Sequence, residues 1–321
     1  MSLSDYPISW LVCPSLLIAA LLLDLCLGEP RRWHPLAGFG NLAQALERRL
    51  NLGLGPVPAR VLGLIAWLVL LLPPVALAWA LCQLQYGWVV HVLLLYFAIG
   101  ARSLKEHAMA IYQPLLRRDL PAARHAVGMI VSRDTQALDE REIASASVES
   151  VLENGNDAIF AALFWFVLLG GPGALMFRLA NTLDAMWGYR TPRFLHFGWA
   201  AARLDDLLNL IPARLTALSY ALSGHTRLAL QCWFWQGRQW YSPNAGPVMA
   251  AGAGALHIQL GGAAPYHGTV KQRPALGIGP RAEAATILAA VKLVNCSLYI
   301  WAGFVLLASV LAMLIAGWLH A

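Results

Sequence analysis

The feature that most narrows the fold is a series of apolar runs. Residues 8–27, 61–84 and 298–319 are each nearly free of charge, and about 20 such residues cross a bilayer as a helix. Two shorter runs, 88–102 and 158–170, read as further crossings or re-entries, the second returning over 174–187 through Gly170-Gly171-Pro172-Gly173. With 59% of the chain hydrophobic and 12% charged, against about 25% charged in soluble domains, the expectation is an all-α integral membrane protein. It is a polytopic helical bundle in one membrane-embedded domain, 1–321, whose amphipathic cytoplasmic helices form a polar site at the membrane face.

Charge sets the topology. The net charge of +6 comes without basic blocks or aromatic–basic interleaving, which argues against nucleic-acid binding and fits a positive-inside bias. Arg31, Arg32, Arg48, Arg49 and Arg60 place 28–60 in the cytoplasm, with the amino terminus outside. The segments 103–157 and 188–297 follow on the same side, so the site faces the cytoplasm from the inner membrane. Pro114 and Pro121 are expected to break 103–157 into short helices. The five scattered cysteines show neither metal spacing nor a disulfide framework.

Nine of the seventeen acidic residues lie between Glu106 and Asp157. Were 137–157 a regular helix capped by Ser132 or Asp134, Asp139, Glu142, Glu149, Glu153 and Asp157 would share an arc of roughly 80°. A row of carboxylates repels itself unless cations or donors neutralise it. In a soluble helix such a row is usually a solvated face; next to an apolar run it points to a site. Arg178, Asn181 and Asp184 form a second stripe, and Asp205, Asp206 and Asn209, near Arg214, a third. Three stripes at the ends of apolar helices suggest one shared polar chamber. Asp24, Glu29 and His34 add charge at the first membrane boundary. The 242–246 loop, with Ser242, Asn244 and Gly246, leads through Pro247 into a small-residue helix whose first N–H groups suit phosphate.

These strings together resemble the adenosylcobinamide-phosphate synthases of cobalamin biosynthesis, the CobD/CbiB type. The resemblance runs collinearly from Asp24-Leu-Cys-Leu-Gly-Glu-Pro with His34-Pro35, through Ser132-Arg-Asp-Thr135, Glu149-Ser-Val-Leu-Glu-Asn154 and Asp157. It continues in Asn181-Thr-Leu-Asp-Ala-Met186 with Gly188-Tyr189, Arg203-Leu-Asp-Asp206 with Asn209, Pro212-Ala-Arg214 and Ser242-Pro-Asn-Ala-Gly246. Ser145 departs from the pattern, standing where relatives commonly carry arginine. Ala158, Ala162 and Pro247-Val248 are further departures.

The resemblance implies a membrane ligase that joins adenosylcobyric acid, a corrinoid, to aminopropanol or its phosphate, with ATP as co-substrate and Mg²⁺. Clustered carboxylates suit Mg²⁺, and arginines suit phosphate or carboxylate. The catalytic candidates are therefore Glu149, Glu153, Asp157, Asp184, Asp205 and Asp206, the first four also as metal ligands. Candidates for binding substrate or phosphate are Asp24, Glu29, His34, Arg133, Asp134, Asn154, Arg178, Asn181, Asn209, Arg214, Ser242, Asn244 and Gly246. The bilayer is an obligatory partner, and a homo-oligomer or a complex with other cobalamin-assembly membrane enzymes is compatible with the chain.

Two other readings fit parts of the pattern. A corrinoid or small-molecule transporter predicts ionisable groups near the midplane and paired half-repeats. A prenyltransferase-like membrane enzyme predicts two Asp-rich clusters for Mg²⁺-pyrophosphate, which Asp205-Asp206 echoes without the usual spacing.

Overall fold

The computed structural model describes residues 13–29, 35–266 and 268–319. His34 and the start of the 8–27 run lie outside them. The protein is an all-α polytopic membrane protein. Among the described residues four helical stretches are long and apolar enough to cross a membrane: Pro56–Cys82, Gly87–Leu116, Glu140–Trp187 and Ala284–Ala312. The packing divides the chain into two compact units.

The first unit comprises Met1–Gly100, Ala161–Asn209 and Val305–Ala321. It contains α1 (Cys13–Leu27), α2 (Pro35–Leu50), α3 (Pro56–Cys82), α4 (Gly87–Ala98), α8 (Ala161–Trp187) and α9 (Trp199–Leu208). Its core is built from one face each of α2, α3, α8 and α9, where Trp67, Leu70, Leu71, Leu179, Leu183, Trp187 and Phe197 interlock. Pro73 and Pro74 lie inside α3. The expected turn in the fourth apolar stretch is a break at Gly170, whose φ of 69° is left-handed, a conformation glycine adopts without penalty. The N–H of Gly171 is bonded at the break by His91 Nδ1, at 2.9 Å.

The second unit comprises Ala101–Phe160 and Leu210–Phe304. It holds α5 (Ala101–Leu116), α6 (Leu120–Gly128), α7 (Glu140–Gly155), a π-helical turn (Asn156–Phe160), α10 (Leu210–Ser223), α11 (Thr226–Gln236) and α12 (Ala245–Leu256). Two short antiparallel ladders add to the helices: β1 (Gln259–Gly261) with β4 (Ala275–Gly277), and β2 (Ala264–Tyr266) with β3 (Thr269–Lys271). The last helix, α13 (Ala284–Leu319), begins well before the run at 298. Phe160 stacks on Trp301 and meets Tyr220 edge-on.

Several sequence expectations change here. Pro114 does not break its helix; it is accommodated near the end of α5, and the chain turns after Leu116, where Arg118 takes a φ of 59°. Pro121 sits in the first turn of α6, where its missing N–H costs nothing. The acidic helix is capped neither by Ser132 nor by Asp134. Asp139 is the N-cap and accepts from Glu142 N at 2.8 Å, while Glu142 Oε2 accepts from Asp139 N at 2.9 Å. This capping box fixes the helix start and takes two carboxylates out of the proposed row. At the other end the π-helical turn widens the backbone spiral, so the 100° step that aligned Asp157 with Glu153 no longer holds. Asn156 turns inward there and accepts from Thr216 Oγ1 at 2.9 Å. Pro247 is the third residue of α12, with Asn244 at the cap, rather than the first.

Candidate functional site

The most built-up polar site lies in the second unit, around Glu149. Its carboxylate is 3% exposed, and each oxygen is matched. Oε2 accepts from Arg133 Nη2 and from Arg273 Nη1 (2.8 Å). Oε1 accepts from Arg273 Nη2 at 3.1 Å and from Gly261 N at 2.9 Å, with Ser145 Oγ at 3.5 Å. Burying one anion with two guanidinium groups leaves a net charge of +1. Such a cluster is tolerated only because its donors and acceptors are paired. Arg273 also donates from Nε to Gly262 O (3.1 Å) and lies over the Trp240 ring.

The triad is assembled from distant parts of the chain. Arg133 comes from the loop before α7, Glu149 from α7, and Arg273 from the connection between β3 and β4. Asp134 secures this arrangement. Its N–H donates to Pro265 O at 3.1 Å, and its Oδ2 accepts from Gly268 N at 2.8 Å, so it pins the β2–β3 hairpin to the 133–134 loop. The Ser132–Thr135 string therefore has structural roles beside its place at the triad. Thr135 is buried, Asp134 ties, Arg133 completes the triad and Ser132 faces a cavity.

That cavity, about 340 Å³, opens beside the triad. Arg133, Glu149 and Arg273 form one wall; Ser132, Glu153, Asn154, Lys271 and the aromatic rings of Trp240, Tyr241 and Tyr266 complete it. Asn154 is held by Ser150, through its carbonyl (2.9 Å) and Oγ (3.1 Å). Lys271 lies over the Tyr266 ring, 5.2 Å from its centre. Glu153 is half-buried, and its side chain forms no hydrogen bond or salt bridge with a described residue. One turn apart on α7, Glu149 is saturated and Glu153 is available.

Asn244 and the 242–246 loop belong to the same unit. Ser242 Oγ accepts from Asn244 N (3.3 Å) and Ala245 N (3.2 Å), and Asn244 Oδ1 accepts from Arg214 Nη1, which also reaches Leu210 O at 3.0 Å. Two N–H groups that were expected to cradle phosphate are thus bonded by Ser242. Gly246 has a packing reason to be glycine: a Cβ there would fall 2.2 Å from Gly237 O.

The remaining candidates sit in the first unit. Asp205 is 8% exposed and accepts from Asn181 Nδ2 (3.3 Å) and Asn209 Nδ2 (3.2 Å). Burial pushes its carboxyl up to about 6, against the two amide donors, with nearby Asp206 adding to the rise. Burial also raises Asp206, opposed by Arg203 and Arg190. Asp184 packs over Gly188, whose added Cβ would strike its carboxylate. Arg178 approaches Glu29 at 3.8 Å, and Asp24 is buried in the last turn of α1. The carboxylate candidates therefore fall into two sets: Glu149, Glu153 and Asp157 in one unit, Asp184, Asp205 and Asp206 in the other.

Among the described residues no group of three or more His, Cys, Asp or Glu side chains is arranged to hold a metal ion. Glu149, surrounded by donors, does not fit as a metal ligand. Mg²⁺ needs only one or two carboxylates when substrate phosphates and water complete its shell, and Glu153 fits that smaller requirement. Sequence reasoning missed Arg273 and Lys271 as site residues. Their only signal was two basic residues in an otherwise apolar, glycine-rich stretch.

The family model described as CobD/Cbib protein matches residues 17–294. A "Cobalamin biosynthesis protein CobD" of Chromobacterium violaceum is 57% identical over 297 residues, covering 91% of this chain and 95% of its own length. The protein of the same name from Stutzerimonas stutzeri is 55% identical, covering 95% and 98%. That of Halalkalibacterium halodurans is 38% identical, covering 84% and 88%. No solved structure matches the chain.

Proposed function

Because the chain belongs to the CobD/CbiB protein family, we propose that it serves cobalamin biosynthesis as a membrane ligase, forming an amide between adenosylcobyric acid and aminopropanol or its phosphate. A carboxylate is a poor acyl donor. Its oxygen attacks the γ-phosphorus of ATP, the bond to the β-phosphate oxygen breaks, and an acyl phosphate and ADP result. The neutral amine then attacks the acyl carbon, phosphate leaves, and a base takes the amine proton.

The observation that carries this reading is the contrast along one turn of α7. Glu149 organises Arg133 and Arg273 as a cationic wall, while Glu153 faces the same cavity with no partner among the described residues. Phosphoryl transfer depends chiefly on positioning and charge neutralisation. The cavity face of Arg133, with Arg273 and Lys271, would hold phosphate oxygens, and Ser132 and Asn154 would orient them. Glu153 is the candidate acceptor for the amine proton, a role worth about 10²–10⁴ in rate. Mg²⁺ arriving with the nucleotide would be held by Glu153 together with substrate phosphates, where it would offset the charge of the transferring group. Asp184 and Asp205, in the other unit, are candidates for contacting the corrinoid. The basic 28–60 loop supports a reaction at the cytoplasmic face of the inner membrane.

The test is a product assay. Purified protein receives adenosylcobyric acid, Mg²⁺, ATP and either amine, and the corrinoid is read by mass. An ATP-dependent gain equal to the amine less water, with ADP released, is expected. No such gain, together with corrinoid uptake by reconstituted vesicles, would replace the ligase by a transporter.

A further inference from the structure

In the first unit, where α3 begins, α9 and the 188–198 segment frame a cavity of about 470 Å³. Its wall carries Arg60, Arg190 and Arg203 against one carboxylate, Asp206. Arg60 lies over the Trp199 ring, 5.4 Å from its centre, and Arg203 Nη1 is 3.9 Å from Asp206 Oδ2. Three cations against one anion leave positive charge in a concave place, where field lines converge. Guanidinium groups pair with phosphate through two parallel N–H donors. The cavity is thus built for an anion carrying phosphate.

What lies beside Arg60 narrows the anion further. Val57, Val61, Leu64, Ile65, Val69 and Leu72 are all exposed. Their spacing of three and four puts them on one face of α3, which is long and apolar enough to cross a membrane. The opposite face, with Ala66, Trp67 and Leu70, is in the core. At about 1.5 Å per residue the exposed stripe runs roughly 20 Å, comparable with an acyl chain. Tyr189 and Trp199 are exposed at the cavity rim, as aromatic side chains are at a bilayer interface. Free phosphate would satisfy the arginines and leave the stripe unused.

We propose that this cavity binds the phosphodiester headgroup of an anionic phospholipid, with an acyl chain laid along the exposed face of α3. The site is separate from the triad and does not rest on the ligase reading.

Protein purified from membranes in mild detergent is extracted, and its bound phospholipid is quantified by mass spectrometry. The wild type is expected to retain anionic phospholipid. Arg60→Glu with Arg190→Glu lowers the retained amount by about five-fold or more for each arginine lost, while Arg60→Lys with Arg190→Lys keeps most of it. In parallel, delipidated wild-type protein is heated with phosphatidylglycerol, phosphatidylcholine or inorganic phosphate. A rise in Tm with phosphatidylglycerol alone supports the proposal. An equal rise with phosphatidylcholine or with inorganic phosphate overturns it, as does undiminished lipid retention in the double glutamate variant. Should that variant fail to fold, the wild-type heating series decides.

Discussion

Arg273 clasps Glu149 with both terminal guanidinium nitrogens, at 2.8 and 3.1 Å, across 124 residues of sequence. With Arg133 on the same carboxylate, this clasp ties α7 to the ladder segment and forms one wall of the proposed phosphate cavity. A residue that looked like one member of an acidic row is the anionic centre of a buried cationic cluster.

Glu149→Gln therefore acts on stability first. It leaves two buried guanidinium groups facing each other without an anion, and removing one partner of such a cluster costs about 3–5 kcal/mol. Thermal unfolding in detergent measures this. An unchanged Tm would mean that the clasp does not hold the fold together.

Glu153→Gln has the opposite profile. The side chain makes no bond with a described residue to lose, so Tm stays near wild type while amide formation falls by about 10²–10⁴. Full activity in the folded variant removes Glu153 from the chemistry.

Asp205 makes the first unit less stable as the medium turns from acid to neutral. Its carboxyl is raised from 3.8 to about 6 in the folded chain, so the native state binds the proton more tightly than the unfolded one. The stability this contributes is complete below about pH 4 and is lost as pH rises through about 6, a change on the order of 3 kcal/mol. Asp205→Asn should flatten that window of the unfolding-versus-pH curve. A curve of unaltered slope would show that another group titrates there.

Gly246→Ala should destabilise the second unit by about 1–3 kcal/mol, because the added methyl meets the backbone carbonyl of Gly237, which no rotamer change can relieve. Equilibrium unfolding and expression level report it. A neutral effect would return Gly246 to the role of a flexible phosphate loop.

How far the sequence could be read depended on the range of each interaction. Apolar length identified the membrane class, since a bilayer imposes the same requirement on every helix that crosses it. The glycine-rich break around Gly170 followed from backbone sterics. The acidic row was legible only in part, because periodicity assumes a regular spiral. Asp139 and Glu142 were drawn off by the helix start, and the π-helical turn shifted Asp157. The 242–246 string was recognised, yet Ser242 bonds two of the N–H groups expected to meet phosphate.

By itself the chain's order of residues determined the membrane-embedded helical class, the family and the segments in which charge accumulates. These depend on local hydropathy and on motifs, which act over a few turns of backbone. Only the tertiary structure decided which carboxylate is spent on structure and which is left facing a cavity. That choice rests on Arg273 and Gly261, more than a hundred residues from Glu149, reaching it while Glu153, one turn along the same helix, meets a cavity.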